Sequence, residues 1–301
     1  MSLKYKVLWI DDTRTSAEAK IEGIKDFLDG EGFSFESILF ENAENIDNHL
    51  QDHELDIVVT DFNLPGIEIK ELIQKIRSQH NYIDIILYSE NPPANFDEVA
   101  KSFEGIFSTT RDSVEDTIIA VIKETLRRTQ NVNNMRGIVI SEAIDIENQV
   151  EDIIIEYFSG REKYLATILL DSDKGDDFGR KISFLGTCLK EIVGFLNVTI
   201  QDNNGNNTTE IELLAEVKPL HIMSKKLVDD ICMPRNMLAH VEHQLDEDHT
   251  PFLKSLKSGY KQIKIDYEWC KNIRKDILKH SYNLANLKNF ITKWNAYRIP
   301  K

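Results

Sequence analysis

The chain has 301 residues, of which 41% are hydrophobic and 29% are charged, with only 13 glycines and 7 prolines. This composition excludes collagen-like, low-complexity and disordered chains, and the length allows about two domains of ordinary size. No apolar run approaches the roughly 18 residues that span a bilayer, and the first residues lack the apolar segment of a signal peptide, so we expect a cytoplasmic protein without membrane contact.

Charge is distributed unevenly around a formal net charge of −15. Residues 1–130 contain 13 Lys and Arg against 26 Asp and Glu, and residues 131–250 contain 11 against 22. Residues 251–301 reverse this balance, with 12 against 3. The acidic part argues against general nucleic-acid binding, while the basic end forms a surface of a different kind.

The first 130 residues alternate β-branched runs with amphipathic stretches. The runs predict strands at 6–10, 33–40, 56–60, 84–89 and 105–108. The stretches predict helices at 16–28, 45–50, 67–78, 96–103 and 113–128. This alternation is typical of a doubly wound α/β fold, in which helices cover both faces of a five-stranded parallel sheet.

Acidic residues follow two of the predicted strands directly. Asp11 and Asp12 come after the first strand, and Asp61 comes after the third. Because such sheets bind ligands outside the carboxyl ends of their strands, adjacent first and third strands would bring these carboxylates together. Such a cluster favours a hard cation with oxygen ligands, and Mg²⁺ fits best. The alternative is that these aspartates only start turns or cap helices.

Residues 4–128 resemble the receiver domain of two-component response regulators. Asp11 and Asp12 look like that family's acidic pair, and Asp61 looks like its phosphoacceptor. Asn63 looks like the residue whose backbone carbonyl binds Mg²⁺. The resemblance implies that a sensor histidine kinase phosphorylates Asp61 and that Mg²⁺ lies among these four residues.

The resemblance extends to the switch residues and fails at two positions. Ser89 matches the hydroxyl that follows the phosphoryl group, and Phe107 matches the aromatic switch position. Thr110 stands where the family has a lysine, and Glu90 stands where it has a small residue. Arg111 is the alternative cation, although a guanidinium and an ammonium are not interchangeable. The departures leave open whether the domain is phosphorylated or degenerate.

After a polar junction at 125–137, the pattern predicts helices only. An apolar stripe at helical spacing consists of Ile146, Val150, Ile153 and Tyr157. Further helices are predicted at 161–170, 180–196, 215–232, 234–245 and 267–294. The expected architecture is therefore a receiver-like domain, 1–128, followed by an all-helical domain, 129–301.

The stretch CMPRNMLAH, residues 232–240, combines polar residues with a predicted helix start. Pro234 suits the first helical position, so Arg235 and Asn236 would lie beside free N–H groups that favour anions. His240 shares a helical face with Asn236 and lies about 140° from Arg235 around the axis. Only a long arginine or a second subunit would bring Arg235 and His240 onto one phosphate.

This Arg-Asn-x-x-x-His pattern resembles the higher eukaryotes and prokaryotes nucleotide-binding (HEPN) superfamily over roughly residues 135–295. The resemblance implies a metal-independent ribonuclease site across a homodimer. In it His240 acts as acid or base, Arg235 stabilises the transition state, and Asn236 orients the reacting groups. The alternatives are a solvated polar helix face in a domain used only for association, or a phosphorelay histidine at His240 or His243.

The basic C-terminal segment contains lysines and arginines interleaved with aromatic residues. They are Lys254, Lys257, Lys261, Lys264, Lys271, Arg274, Lys275 and Lys279, with Tyr260, Tyr267 and Trp269. Such a segment fits contact with an RNA backbone and bases, or a solvated helix face whose aromatic residues lie in the core.

The prediction as a whole is a response-regulator-like signalling protein, phosphorylated on Asp61, that controls a helical effector with ribonuclease activity. The alternative is a non-enzymatic dimerisation or adaptor protein with a degenerate receiver domain. The expected cofactor is Mg²⁺. The expected partners are a sensor histidine kinase, a second copy bound through the helical domain and, for the ribonuclease, RNA.

Overall fold

The computed structural model describes residues 3–44, 46–50, 55–79, 82–129, 132–159, 178–202, 208–239, 241–245, 247, 251–255 and 264–298. The chain divides into two compact units, residues 1–131 and residues 132–301. The predicted α/β alternation lies in the first unit, and the second is mainly helical.

In the described part of the first unit, five parallel strands form one sheet. They are β1 (Lys4–Ile10), β2 (Ser34–Phe40), β3 (Ile57–Asp61), β4 (Asp84–Ser89) and β5 (Ile106–Thr110). Their spatial order is β2-β1-β3-β4-β5, so β1 and β3 are neighbours. This is the flavodoxin-like order of the receiver fold, which confirms the predicted fold class for this unit.

The central strands are covered on both faces of the sheet. Every residue of β3 is buried, as are Val7 to Ile10 of β1 and Ile85 to Ser89 of β4. The edge strand β2 is only partly buried along its length. Continuous aliphatic runs therefore occupy the centre of the sheet, and this places the ends of β1 and β3 side by side.

Helices cover the sheet and lie close to their predicted residues. They are α1 (Arg14–Glu31), α2 (Asp47–Leu50), α3 (Ile69–Gln79), α4 (Phe96–Lys101) and α5 (Val114–Thr129). α3 buries Ile69, Leu72, Ile73 and Ile76, whose spacing puts them on one helical face against the core. Gly32 caps the C-terminal end of α1, and its φ of 79° is a left-handed conformation that glycine adopts at little steric cost.

The described helices of the second unit pack around an apolar core. They are α6 (Val132–Tyr157), α7 (Phe178–Asp202), α8 (Thr208–Ser224), α9 (Met233–Ala239) and α10 (Tyr267–Arg298), with a π-helix at Val228–Cys232. The predicted stripe of α6, from Ile146 to Tyr157, is buried, and α6 packs against α7 and α10. The helix predicted at 161–170 lies outside the described residues.

A small antiparallel sheet departs from the expected all-helical second half. Its strands are β6 (Val241–Leu245), β7 (Pro251–Ser255) and β8 (Lys264–Ile265), in that spatial order. The helix predicted at 234–245 is therefore wrong for Val241–Leu245. Glu242 and Gln244 alternate with Val241 and Leu245 at the period of a strand, and pairing with β7 outweighs helical propensity there.

α7 contains an apolar segment that the sequence analysis did not expect. Among the described residues it is the helix that is long and apolar enough to cross a membrane by length and composition. Its buried residues include Leu185, Leu189, Ile192 and Leu196. These side chains recur at helical spacing and lie on the face with which α7 packs against α6 and α8, while 33% of the apolar segment is buried.

Candidate functional site

Three carboxylates meet at the carboxyl ends of β1 and β3. Asp11 and Asp12 follow β1 and Asp61 ends β3, and one oxygen from each lies within 4.8 Å of the others. Asp11 and Asp61 are 2% and 3% exposed, whereas Asp12 is exposed. The convergence predicted from the strand ends is therefore present.

The two buried carboxylates are held by backbone amides two residues further along the chain. Thr13 N donates to Asp11 Oδ1 at 2.8 Å, and Asn63 N donates to Asp61 Oδ1 at 2.9 Å. Such local turns fix the orientation of an aspartate side chain. Each carboxylate therefore keeps its Oδ2 atom for other partners.

Arg111 supplies a cation to this cluster. It follows β5, and its backbone N–H donates to the carbonyl of Ser89 at 3.1 Å. Its Nη2 atom donates to Asp61 Oδ2 and lies 3.7 Å from Asp11 Oδ1. Burial lowers the pKa of the guanidinium, but the hydrogen bond to Asp61 and the charges of Asp11 and Asp61 outweigh it, so the pKa of Arg111 is raised. Thr110, which stands where the family has a lysine, is exposed. Arg111, the alternative cation in the sequence analysis, is the one that contacts the carboxylates.

Tyr88 is a member of the site that the sequence analysis missed. Its hydroxyl donates to Asp11 Oδ2 and accepts a hydrogen bond from Trp9 Nε1 at 3.0 Å. Burial, followed by the bond to Asp11, raises the pKa of Tyr88, so the phenol stays protonated. The Arg111 guanidinium lies 5.8 Å from the centre of the Tyr88 ring. The signal in the sequence was a tyrosine, an aromatic residue with a polar hydroxyl group, in the aliphatic run of β4.

Ser89 and Asn63 form the other side of the pocket. Ser89 is fully buried, and its Oγ atom accepts a hydrogen bond from Asn63 Nδ2 at 3.1 Å. Phe107 lies on β5 and is 40% exposed, and Glu90 is exposed directly after β4. The predicted switch hydroxyl of Ser89 is therefore hydrogen-bonded to Asn63. The predicted aromatic switch residue, Phe107, lies at the surface.

The donor atoms of this pocket suit a divalent cation. The three carboxylates supply oxygen ligands, as Mg²⁺ prefers, and three negative charges outnumber the one guanidinium that contacts them among the described residues. Asp11, Asp12 and Asp61 are the side chains that would hold such an ion.

The polar motif of the second unit is not arranged as predicted. The π-helix at Val228–Cys232 continues directly into α9, so Pro234 lies inside a helical run rather than at a free N-terminus. A π-turn before a proline accommodates the missing N–H and the bulk of the ring. Arg235 and Asn236 therefore do not border the free N–H groups that were expected.

Each described member of that motif has a partner within the second unit. Arg235 Nη2 lies 3.4 Å from Glu147 Oε2, and Glu147 is only 4% exposed. Asn236 Nδ2 donates to Cys232 Sγ at 3.7 Å. His240 lies outside the described residues. His243 lies in the strand β6 and not in a helix, which removes the basis for a phosphorelay histidine there.

Some of the basic residues of the C-terminal segment are buried in the second unit. Arg274 is fully buried, lies 5.6 Å from the Tyr267 ring centre and contacts Met135 Sδ at 3.8 Å. It therefore belongs to the core and not to an RNA-binding surface. Lys257, Tyr260 and Lys261 lie outside the described residues.

No protein-family model matches this chain, and no curated protein matches it. Solved structures are similar to it, among them a CheY-like receiver domain protein from Methanospirillum hungatei JF-1. That structure is 18% identical over 41% of this chain and 94% of that one, with a TM-score of 0.34. The chemotaxis protein CheY4 of Vibrio cholerae is 16% identical over 40% and 98%, with a TM-score of 0.32. Full-length FixJ from B. japonicum is 18% identical over 71% and 96%, with a TM-score of 0.34.

Proposed function

We propose that the first unit is a signal receiver whose Asp61 accepts a phosphoryl group, and that the second unit is the effector it controls. The observation that carries the proposal is the arrangement of Asp61. Its carboxylate is buried, oriented by one backbone amide and flanked by two further carboxylates and a guanidinium. Holding carboxylates of like charge together in a buried place lowers the stability of the fold. The same arrangement suits the transfer of an anionic phosphoryl group.

The proposed reaction transfers a phosphoryl group from the phosphohistidine of a sensor kinase. An oxygen of Asp61 forms the bond to phosphorus while the bond from phosphorus to the donor nitrogen breaks. Asp11, Asp12 and Asp61 with the Asn63 carbonyl would hold Mg²⁺, whose charge would offset the negative charge that gathers in the pocket. Because Asp61 Oδ1 is held by the Asn63 amide, Oδ2 is the oxygen whose partner must change.

Arg111 is the residue that moves in this proposal. Its guanidinium donates to Asp61 Oδ2, so that atom becomes available only when Arg111 releases it. An arginine can then pair with two oxygens of the new phosphoryl group, a geometry that a lysine cannot supply. The Ser89 hydroxyl, which accepts a hydrogen bond from Asn63, lies at the end of β4, where the Ser89 carbonyl accepts from the backbone N–H of Arg111. Phosphorylation would in this way alter the end of β4 and the residues after β5.

The test is phosphorylation by acetyl phosphate and Mg²⁺, measured by intact-protein mass spectrometry. The full chain should gain one phosphoryl group, and Asp61→Asn should gain none. Asp112→Asn is the matched control because Asp112 is an exposed aspartate next to Arg111. It should be labelled like the wild type. Labelling of Asp61→Asn, or none of the wild type, would contradict the proposal.

The control of the second unit is proposed as a population shift. Phosphorylation would favour one conformation of the receiver and change how two copies of the helical unit associate. A sensor histidine kinase and a second copy of the chain are therefore the proposed partners, and the proposed location is the cytoplasm. Sedimentation of the phosphorylated and unphosphorylated protein tests the association directly.

Ribonuclease activity at Arg235 and His240 stays a prediction, and one observation favours the adaptor alternative over it. Arg235 is paired with the buried Glu147, which also accepts a hydrogen bond from Lys181 Nζ at 2.6 Å. An arginine committed to a buried carboxylate is poorly placed to stabilise a transition state. Cleavage of structured RNA by the phosphorylated wild type and not by His240→Ala would restore the nuclease hypothesis.

A further inference from the structure

The two buried carboxylates of the acidic pocket have a hydrogen-bond donor on each of their oxygen atoms. Asp11 accepts from Thr13 N through Oδ1 and from the Tyr88 hydroxyl through Oδ2. Asp61 accepts from a backbone amide through Oδ1 and from Arg111 Nη2 through Oδ2. A cation that binds these carboxylates therefore competes with donors that the chain itself supplies, and its affinity depends on the strength of those donors.

Tyr88 reaches Asp11 from the far side of the strand between them. Tyr88 lies on β4, opposite Asp61 of β3, and Asp11 follows β1 on the other side of β3. Neighbouring strands are about 4.8 Å apart, so the two backbones are two strand spacings apart. A tyrosine at this position therefore reaches a carboxylate that a serine or a threonine would not reach.

The surroundings of the Tyr88 hydroxyl direct its proton to Asp11. The Tyr88 oxygen accepts a hydrogen bond from Trp9 Nε1 at 3.0 Å, which leaves the phenol proton for the carboxylate. A hydroxyl that accepts a hydrogen bond is polarised and becomes a stronger donor. Trp9 and Tyr88 are 0% and 1% exposed, so bulk water does not compete for these groups. Tyr88 is therefore a strong donor to Asp11.

The orientation of Asp11 does not depend on Tyr88 alone. Thr13 N holds Asp11 Oδ1 at 2.8 Å in a local turn, and Arg111 Nη2 lies 3.7 Å from the same oxygen. Removing the Tyr88 hydroxyl would leave this side of the carboxylate in place and would free Oδ2. A buried carboxylate oxygen without a donor is costly, so a cation that contacts it gains affinity.

We propose that Tyr88 is a positioning residue that holds Asp11 through Oδ2 and thereby lowers the affinity of the acidic pocket for Mg²⁺. This inference rests on the proposed function, in which Asp11, Asp12 and Asp61 would hold the ion. The hydroxyl stabilises the metal-free pocket, because it satisfies a carboxylate oxygen that the ion would otherwise satisfy. Tyr88 therefore sets the Mg²⁺ concentration at which the pocket becomes competent for phosphoryl transfer.

The first test compares Mg²⁺ binding by the wild type and by Tyr88→Phe, measured by calorimetry on the full chain. Phenylalanine keeps the ring, so the edge contact with Trp9 and the contact with the Arg111 guanidinium both remain. The variant should bind Mg²⁺ about fivefold more tightly, since the ion no longer competes with a hydrogen bond to a carboxylate. Equal or weaker binding by Tyr88→Phe would overturn the proposal.

Tyr5→Phe is the matched control, because it removes another buried tyrosine hydroxyl from the same unit. Tyr5 is 1% exposed and lies near the start of β1, whereas Asp11 follows the end of that strand. The control should lose stability, as Tyr88→Phe does, but should bind Mg²⁺ like the wild type. Tighter binding by both variants would mean that a general loosening of the unit, and not the bond to Asp11, sets the affinity.

Thermal unfolding measures the same coupling in a second way. Without Mg²⁺, Tyr88→Phe should unfold at a lower temperature than the wild type, because Asp11 has lost a donor. At saturating Mg²⁺ this difference should shrink, since a ligand that binds more tightly stabilises the folded state more. A difference that Mg²⁺ leaves unchanged would mean that the hydroxyl is only structural, and this would contradict the proposal.

The outcomes also separate this inference from the proposed function, when acetyl phosphate labelling is measured on the same two proteins. If both bind Mg²⁺ with one affinity and both are labelled on Asp61, the role of Tyr88 is wrong and the receiver proposal stands. If neither protein binds Mg²⁺ and neither is labelled, the receiver proposal fails and the role of Tyr88 fails with it. Tighter Mg²⁺ binding by Tyr88→Phe with labelling of both proteins is the result that we expect.

Discussion

Each unit places an arginine beside buried carboxylates, but the two clusters differ in how their charges balance. In the first unit Asp11, Asp12 and Asp61 meet the guanidinium of Arg111. In the second unit Glu147 and Glu151 meet Lys181 and Arg235, so each negative charge has a positive neighbour. An unbalanced cluster is costly unless a further cation arrives, whereas a balanced one needs nothing more. An arginine next to acids therefore marks a ligand site only where the charges fail to cancel.

The largest expected effect comes from unbalancing the second cluster. Glu147→Gln should lower the free energy of unfolding of the second unit by about 2–3 kcal/mol, because the partly buried Lys181 and Arg235 lose their shared carboxylate. Chemical denaturation followed by the fluorescence of Trp269 and Trp294 measures this. Glu151→Gln, at a more exposed carboxylate, should cost less. A stable Glu147→Gln variant would show that the cluster is not structural.

Neutralising a carboxylate in the acidic pocket of the first unit should not lower the stability of that unit. Asp12→Asn removes one of three like charges, so the first unit should become no less stable and Mg²⁺ should bind more weakly. Denaturation followed by the fluorescence of Trp9, with and without Mg²⁺, measures both effects. The comparison fails if Asp12→Asn destabilises the first unit as much as Glu147→Gln destabilises the second.

Removing the guanidinium of Arg111 should make the stability of the first unit depend on Mg²⁺. Arg111→Gln should lower its free energy of unfolding by about 1–2 kcal/mol without Mg²⁺, because the buried Asp61 loses its ion pair. Added Mg²⁺ should recover this loss, since a ligand that binds only the folded state stabilises it. Arg111→Lys is the control and should keep most of the stability. A loss that Mg²⁺ does not recover would mean that the carboxylates do not bind the ion.

Among the substitutions that should lower stability, the smallest loss is expected at Tyr88. Tyr88→Phe should cost about 1 kcal/mol, because Asp11 loses a donor and the buried Trp9 Nε1 loses its acceptor. Tyr82→Phe is the control, since that side chain is 98% exposed and should be neutral. Thermal unfolding of the two variants decides between a structural network and an incidental contact.

The fold of the first unit was predictable because its elements follow local periodicity. The apolar runs of β1, β3 and β4 and the stripe of α3 give the strands and helices near their observed bounds. The meeting of Asp11 and Asp61 then follows from the pairing of adjacent parallel strands. In the second unit the buried stripe of α6 followed in the same way.

What the sequence could not provide depends on tertiary contacts. The bond between Tyr88 and Asp11 requires the register of β4 against β3, and the place of Arg111 depends on the rotamer of a long side chain. The strand β6 forms because β7 pairs with it, against the helical continuation expected from Pro234 onward. Arg274 is buried beside an aromatic ring and a sulfur atom, so it is not part of the RNA-binding surface that its basic neighbours suggested.

The most direct test of the central claim is a Mg²⁺ titration followed by the indole N–H signals of the three tryptophans. Trp9 is linked to Asp11 through Tyr88, whereas Trp269 and Trp294 lie in the second unit. We expect the Trp9 signal alone to shift and to reach saturation, and we expect the shift to be lost when Asp11→Asn and Asp61→Asn are combined. A Trp9 signal that stays still, or that shifts equally in the double variant, would contradict a metal-binding acidic pocket.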